Sequence, residues 1–243
     1  VSLMRGPKDD MVVLHVEREG EKDILVFEII RKKIELETVK ESMLGSSIGY
    51  IKITSFEEST PKEFRAALET ILDKGAKGLI LDIRNNPGGL LKESTEIVDE
   101  LIGESLIVYT KDKAGNKTSV YKSGKSKIDI PLVVLVNQYS ASASEIVAGA
   151  VQDTESGIIV GTRTFGKGSV QEPILFNDGS GLKITTSKYY LPSGRSIHDV
   201  GIEPDISIDL PIGVNTFDIP EKFDTQLQKG IEIMKKEIQK LNH

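Results

Sequence analysis

Three serines stand where an apolar segment gives way to a helix-forming one. Ser140, Ser142 and Ser144 lie within residues 137–145, directly after the apolar run 131–136. A hydroxyl at the start of a helix is close to backbone amides that lack partners inside the helix and that can hold an oxyanion. The same small residues would also suit close packing and helix capping, so the turn by itself favours chemistry and packing about equally.

A serine nucleophile needs a base, and histidine is the usual one. The chain contains only three histidines: His15, His198 and His243. None of them has a convincing setting, since they fall in a hairpin, in a loop-like segment and at the last position. A lysine can act instead where its surroundings lower its pKa. Lys167 stands between two glycines, twenty-five positions after Ser142, and the pair suggests a serine–lysine hydrolase.

Lys167 has two competing interpretations, a surface lysine in a turn and a phosphate ligand. Residues 161–167 match the first seven positions of a P-loop. The eighth position is Gly168, where a Ser or Thr hydroxyl is needed for magnesium, and residues 169–173 read as a strand rather than as the required helix. Nucleotide binding is therefore not expected.

A glycine-rich loop, Asn85–Gly89, follows a second apolar strand that ends at Ile83. All of its residues favour turns, so a tight turn is the simplest interpretation. Glycines at the carboxyl end of a buried parallel strand also let the backbone approach a ligand, which makes Gly88 a candidate oxyanion donor. Asp82 and Arg84 flank Ile83, and we expect them to form a structural pair at the strand end.

Composition excludes several classes of function. The 243 residues carry a net charge of −6 and include 38% hydrophobic and 28% charged residues, as in a soluble globular protein, without an apolar run that could cross a bilayer. The acidic balance argues against a nucleic-acid partner. There is no cysteine, which excludes disulfides and thiolate chemistry, and no metal-ligand cluster is visible, so no cofactor is expected.

The hydrophobic pattern predicts an α/β protein. Two β-rich runs, 11–16 and 24–30, predict an N-terminal hairpin. From Ile48 onward, strands alternate with amphipathic helices, which is typical of a mostly parallel sheet covered by helices. The stripe of apolar residues in Phe223–Leu241 predicts a docked terminal helix.

Four segments together resemble the carboxy-terminal processing proteases, the tail-specific serine peptidases of family S41 that use a Ser–Lys dyad. They are residues 81–89, 140–149, 164–171, and 191–195 together with 201–205. Spacing as well as residue type agrees, and the similarity runs from about residue 1 to residue 240. The resemblance implies a ClpP-like or crotonase-like α/β core.

Position by position, the resemblance implies a role for five residues. Ser142 matches the nucleophile, Lys167 the general base, and Gln171 the residue that orients this lysine. Gly88 and the amide of Ala143 match the oxyanion hole. The other two serines of the turn are then left as shaping or capping residues.

The resemblance also implies a domain organisation. Residues 1–31 correspond to the C-terminal remnant of a PDZ domain, of which most is missing, and 32–47 to a connector. Residues 48–212 form the peptidase core, and 213–243 a C-terminal segment with the docked helix.

The expected substrates are the C-terminal regions of proteins, and the expected location is outside the cytoplasm, in a bacterial periplasm or cell envelope. A membrane tether is expected only through the missing N-terminal region, and a homo-oligomer is left open. Two alternatives remain: a catalytically latent peptide-binding protein of the same fold, and an acyl-CoA enzyme on a crotonase-like fold.

Overall fold

The computed structural model describes residues 3–32, 37–124 and 127–241, apart from the side chain of Glu172. The chain divides into two compact units, residues 1–37 and 38–243. The first unit contains an antiparallel hairpin of β1 (Met11–Val16) and β2 (Leu25–Ile30). The predicted hairpin is confirmed, and its origin in a PDZ domain stays a prediction.

The second unit contains two sheets and four α-helices within the described ranges. In chain order its elements are β3 (Val39–Leu44), β4 (Ile48–Ile53), α1 (Thr60–Asp73), β5 (Gly78–Asp82), α2 (Leu91–Leu101), β6 (Ser105–Asp112), β7 (Lys117–Ser123), β8 (Leu132–Val136), α3 (Ala143–Asp153), β9 (Ile158–Gly161), β10 (Ser169–Leu175), β11 (Gly181–Tyr190), β12 (Ile206–Ser207) and α4 (Thr225–Leu241).

The larger sheet has the strand order β12-β9-β8-β5-β4-β3, and all of its neighbouring strands run parallel except the β3–β4 pair. Strands β5 and β8 are buried along their whole length, as strands covered on both faces must be. The predicted α/β class with a mostly parallel sheet is confirmed.

Strand β3 corrects the predicted connector at 32–47. Its residues pair antiparallel with β4, from Val39 opposite Ile53 to Leu44 opposite Ile48. Because β3 is an edge strand, its central residues 40–42 are exposed and polar, and the sequence shows no hydrophobic alternation there. The core therefore begins about ten residues earlier than the sequence suggested.

The smaller sheet is antiparallel, in the order β10-β11-β6-β7. The sequence patterns indicate individual strands in these regions, but they do not predict that the strands form a separate sheet. The pairing of β10 with β11 is irregular between Val170 and Gln171. Gln171, a predicted site residue, therefore lies next to a register shift between these two strands.

Alternate residues of the central strands face two different layers. Leu79 and Leu81 of β5 pack in the main core with helices α1, α2 and α3, whereas Ile80 packs with α4 residues such as Met234 on the other face. The docked terminal helix is thus confirmed. Within the part of the chain that is described, no helix is both long and apolar enough to span a membrane.

A buried ion-pair network joins the end of β5 to the start of α4. Arg84 contacts Asp82 at 2.6 Å and Asp224 at 2.7 Å, and the three side chains are almost fully buried. The Tyr50 hydroxyl donates to Asp82 at 2.7 Å. Burial by itself would raise the pKa of Asp82, but the Arg84 guanidinium outweighs it and lowers this pKa. The expected structural pair is therefore present, and it also anchors α4.

Replacing Asp82 by Asn should destabilise the fold strongly, because it leaves Arg84 undercompensated in a buried site. We expect the free energy of unfolding at pH 7 to fall by about 3 kcal/mol in urea denaturation. The pKa of Asp82 is lowered on folding, so its contribution is present above the unfolded value near 3.9 and is lost as pH falls further.

The stability difference between wild type and Asp82→Asn should therefore narrow at pH 3. Glu58→Gln, which changes an exposed carboxylate that makes no ion pair among the described residues, is the control and should change little at either pH. Equal stability of Asp82→Asn and wild type at pH 7 would contradict the role given to the network.

Candidate active site

Ser142 occupies a strained turn between a strand and a helix. Strand β8 ends at Val136, helix α3 begins at Ala143, and Ser142 is the N-cap. Its φ of 56° and ψ of −113° are unusual for a residue with a side chain. The residue is half-buried, and its backbone carbonyl accepts from the Glu145 amide at 2.9 Å. The strained backbone thus places the Ser142 hydroxyl at the start of the helix.

The two neighbouring serines hold this turn against the end of β5. The buried Ser140 hydroxyl donates to the Ile83 carbonyl at 2.8 Å and accepts from the Asn137 amide at 3.0 Å. The buried Ser144 hydroxyl donates to the Asn86 carbonyl at 2.9 Å. These contacts fit the shaping role expected of both serines, and they bring the loop after β5 beside Ser142.

Gly88 lies directly against the serine turn. A Cβ atom at this position would come within 2.9 Å of the Ser142 Cβ and 3.0 Å of the Ala143 nitrogen, and its φ is 103°. Only glycine fits both the space and the backbone conformation. The structure thus brings together Ser142, Ala143 and Gly88.

The two candidate oxyanion amides differ in their hydrogen bonding. The Gly88 N–H donates to the side-chain oxygen of Asn86 at 2.9 Å. The Ala143 N–H, at the first position of α3, has no acceptor among the residues that are described, as is usual for the first turn of a helix. One donor is therefore free, and the other is held by its own loop.

Glu145 is the central hydrogen-bond acceptor of the site. It is fully buried, and one carboxylate oxygen accepts from the backbone amides of Ser142 and Lys167, both at 2.8 Å. The other oxygen accepts from the Thr164 hydroxyl at 2.6 Å and from the Gly166 amide at 2.7 Å. A single carboxylate therefore ties the serine turn to the lysine loop.

Glu145 is not among the site residues predicted from the sequence, although the sequence carries a local signal for it. The spacing Ser142-x-x-Glu145 is that of a capping box, in which the glutamate accepts from the N-cap amide. That hydrogen bond is present. The contacts with Thr164, Gly166 and Lys167 link residues about twenty positions apart, which no local pattern predicts.

The side chains of Lys167 and Gln171 are both exposed. In the described parts of the chain, neither makes a hydrogen bond or an ion pair with Ser142. Lys167 lies in the loop between β9 and β10, and Glu145 fixes its backbone. Gln171 lies in β10 and pairs with Thr185 of β11. The lysine loop is thus beside the serine turn, but the dyad contact itself is not made.

His198 is the histidine candidate that the described part of the second unit contains, and His243 lies outside the described residues. His198 lies near Asp199, with 3.5 Å between Nε2 and the carboxylate, and has no hydrogen bond to Ser142. Among the described residues, no three histidine or acidic side chains are grouped as metal ligands would be.

The fold and the site define an α/β protein with a candidate serine nucleophile at a strand-to-helix turn. The sequence profile of Peptidase family S41 matches residues 47–208, which is more than half of the chain. The chain therefore belongs to peptidase family S41.

The similar proteins point to one group of peptidases. The chain is 40% identical to a carboxyl-terminal-processing protease of Synechocystis sp., over 95% of this chain and 55% of that protein. It is also 40% identical to the carboxy-terminal processing protease CtpA of Bacillus subtilis, over 87% of this chain and 45% of that protein. The chain spans about half the length of these curated relatives.

A solved structure with a similar fold belongs to the same group of peptidases. The photosystem II D1 C-terminal processing protease superposes with a TM-score of 0.68 at 32% identity, over 87% of this chain and 58% of that protein. The fold is thus shared with a processing protease of known structure.

Replacing Glu145 by Gln tests whether this carboxylate positions the site. The side-chain nitrogen of the new glutamine is a donor, and it would replace one of the two carboxylate oxygens that now accept hydrogen bonds. Depending on which oxygen it replaces, either the Ser142 and Lys167 amides or the Gly166 amide and the Thr164 hydroxyl lose their acceptor. We expect the free energy of unfolding to fall by about 1–3 kcal/mol.

Peptidase kcat should fall about a hundredfold with KM little changed, because the reacting groups are displaced while the substrate-binding surface is kept. Glu155→Gln, an exposed glutamate just beyond the same helix, is the matched control and should leave both parameters unchanged. Wild-type kcat in Glu145→Gln would show that the carboxylate has no positioning role.

Proposed function

We propose that this chain carries the catalytic unit of a serine endopeptidase of the carboxy-terminal processing type, with Ser142 as nucleophile and Lys167 as general base. The observation that carries the proposal is the strained Ser142 turn, with Gly88 and the free Ala143 amide packed beside it. The names of relatives at 40% identity support the substrate class, which is the C-terminal regions of proteins.

The chemistry follows from the groups at the turn. Lys167, as general base, takes the proton of the Ser142 hydroxyl while the serine oxygen attacks the peptide carbonyl carbon. The amides of Gly88 and Ala143 hold the resulting oxyanion. The lysine then gives its proton to the leaving amine, and an acyl-enzyme remains. Water, deprotonated by the same lysine, releases the acyl group and restores the serine.

This reaction requires two adjustments of the observed arrangement. The exposed Lys167 side chain has to turn toward Ser142, and the Gly88 N–H has to share or leave its Asn86 acceptor. Glu145 holds the lysine backbone, so the first adjustment belongs to the side chain.

These same observations favour the second candidate, a latent peptide-binding form of this fold. An acyl-CoA activity, the other alternative, receives no support from membership of a peptidase family.

The wider setting of the protein is also part of the proposal. By resemblance, the first unit is the end of a PDZ domain, and the protein acts outside the cytoplasm, in a periplasm or cell envelope. The family resemblance and the processing-protease names of the relatives support this setting.

Separate Ser142→Ala and Lys167→Ala variants test the dyad. Cleavage of casein or of a peptide with a free C-terminus should fall at least about a thousandfold in each, because the nucleophile and its base act as one unit. A fluorophosphonate probe should label wild type at Ser142. Ser193→Ala and Lys188→Ala, which change exposed side chains, are the matched controls and should keep wild-type activity.

Cleavage that survives either change would reject the dyad. If the wild type also cleaves neither substrate, and the probe does not label Ser142, the latent peptide-binding form is favoured.

Gln171→Ala tests the proposed support of the lysine. We expect kcat to fall about ten- to hundredfold, because a misdirected base transfers protons less well. Fluorophosphonate labelling should slow in parallel, while the unfolding midpoint stays near wild type since Gln171 is exposed. Thr185→Ala, at the paired position in β11, is the control. An unchanged labelling rate in Gln171→Ala would remove this residue from the site.

A further inference from the structure

The loop that carries Lys167 is held from a second side by a turn of residues 197–202. The Asp199 amide of this turn donates to the Gly166 carbonyl at 2.9 Å. On the other side of Lys167, a Cβ atom added at Gly168 would collide with the backbone of the turn. The turn therefore contacts the loop on both sides of the lysine.

Two buried isoleucines fix the ends of this turn. Ile197 and Ile202 are both 0% exposed and pack in the main core. A Cβ atom added at Gly149 of α3 would lie 3.1 Å from the Ile202 Cδ1, so Ile202 packs directly against the helix that also carries Glu145. Because close-packed interiors deform little, the turn is a fixed support for the lysine loop.

The Thr164 hydroxyl joins this turn to Glu145. It donates to the carboxylate at 2.6 Å and accepts from the Ile202 amide at 2.7 Å. The Thr164 amide also donates to the Ile202 carbonyl at 3.1 Å. Thr164 is buried, so the loss of its hydroxyl would leave the Ile202 amide without an acceptor inside the protein.

Glu145 continues this link to the backbone of Lys167. The carboxylate oxygen that accepts from Thr164 also accepts from the Gly166 amide at 2.7 Å, and the other oxygen accepts from the Lys167 amide at 2.8 Å. A continuous set of hydrogen bonds therefore runs from the Ile202 amide, through one hydroxyl and one carboxylate, to the lysine backbone. Hydrogen bonds in such a buried network strengthen one another.

We infer that Thr164 is a positioning residue for the general base. Its hydroxyl sets the distance between the 197–202 turn and Glu145, and with it the point from which the Lys167 side chain reaches Ser142. A side chain of the same shape without the hydroxyl would leave the loop in contact with both neighbours but joined to neither through this position. The inference rests on the proposed role of Lys167 as the base.

Thr164→Val tests this role, because valine has nearly the shape of threonine and lacks the hydroxyl. We expect kcat for peptide cleavage to fall about tenfold with KM unchanged, since the base is displaced while the substrate-binding surface is kept. Fluorophosphonate labelling of Ser142 should slow in parallel. Thr164→Ser keeps the hydroxyl and should restore both rates. Thr162→Val is the matched control, because the Thr162 hydroxyl of the same loop donates to the exposed Gln138 side chain.

Amide hydrogen exchange on the whole ¹⁵N-labelled chain gives a readout that does not depend on activity. In Thr164→Val, the Ile202 and Asp199 amides should exchange at least about tenfold faster, because one loses its acceptor and the other is bonded to a loosened loop. The Leu79 amide, bonded to Pro131 in the large sheet, is the control for global folding and should not change.

Wild-type kcat and labelling in Thr164→Val would overturn the inference, even with faster exchange, because the hydroxyl would then have a structural role alone. Failure of Thr164→Ser to restore the rates would also overturn it. A wild-type chain that neither cleaves nor is labelled would instead reject the dyad, while faster exchange at Asp199 in Thr164→Val would still show that the hydroxyl holds the lysine loop.

Discussion

Glu145 is the contact on which the proposed site depends, because it joins two loops that leave neighbouring strands of the sheet. It lies in the first turn of α3, where a carboxylate is favoured by the helix dipole, and all four of its partners are donors. It holds the backbone amides of Ser142 and Lys167 on one carboxylate oxygen. Without it, the nucleophile and its proposed base would belong to independent loops.

The sheet supplies the second constraint. The carboxyl ends of the parallel strands β5 and β8 lie side by side, so the loops that follow them meet at one edge. Arg84 fixes the end of β5 to the start of α4 through its ion pair with Asp224. The hydroxyls of Ser140 and Ser144 bind the serine turn to the loop after β5. The strain at Ser142 is thus carried by surroundings that are fixed on several sides.

Local patterns in the sequence were sufficient for most of the fold near the site. The continuous apolar runs before Asn85 and Asn137 predicted buried strands, and the glycines after β5 predicted a close approach that Gly88 makes. Strand β3 was missed because an edge strand with polar central residues looks like a connector.

The remaining features could not be predicted from sequence, because they are set by contacts between distant residues. The partners of Glu145 in the lysine loop lie 19 to 22 positions away. The Gly88 amide was expected to be an oxyanion donor, whereas the side chain of Asn86, two residues away, accepts its hydrogen bond. The spacing of the motif indicates only that the backbone of Lys167 lies near the serine turn, and it does not set the direction of the lysine side chain.

The most direct test of the proposed site is a crystal structure of this chain with a peptide boronate bound to Ser142. We expect the Lys167 Nζ within about 3 Å of the Ser142 Oγ, one boronate oxygen on the amides of Gly88 and Ala143, and all four contacts of Glu145 retained. A boronate adduct in which Lys167 remains exposed, or in which Glu145 has left the two loops, would contradict it.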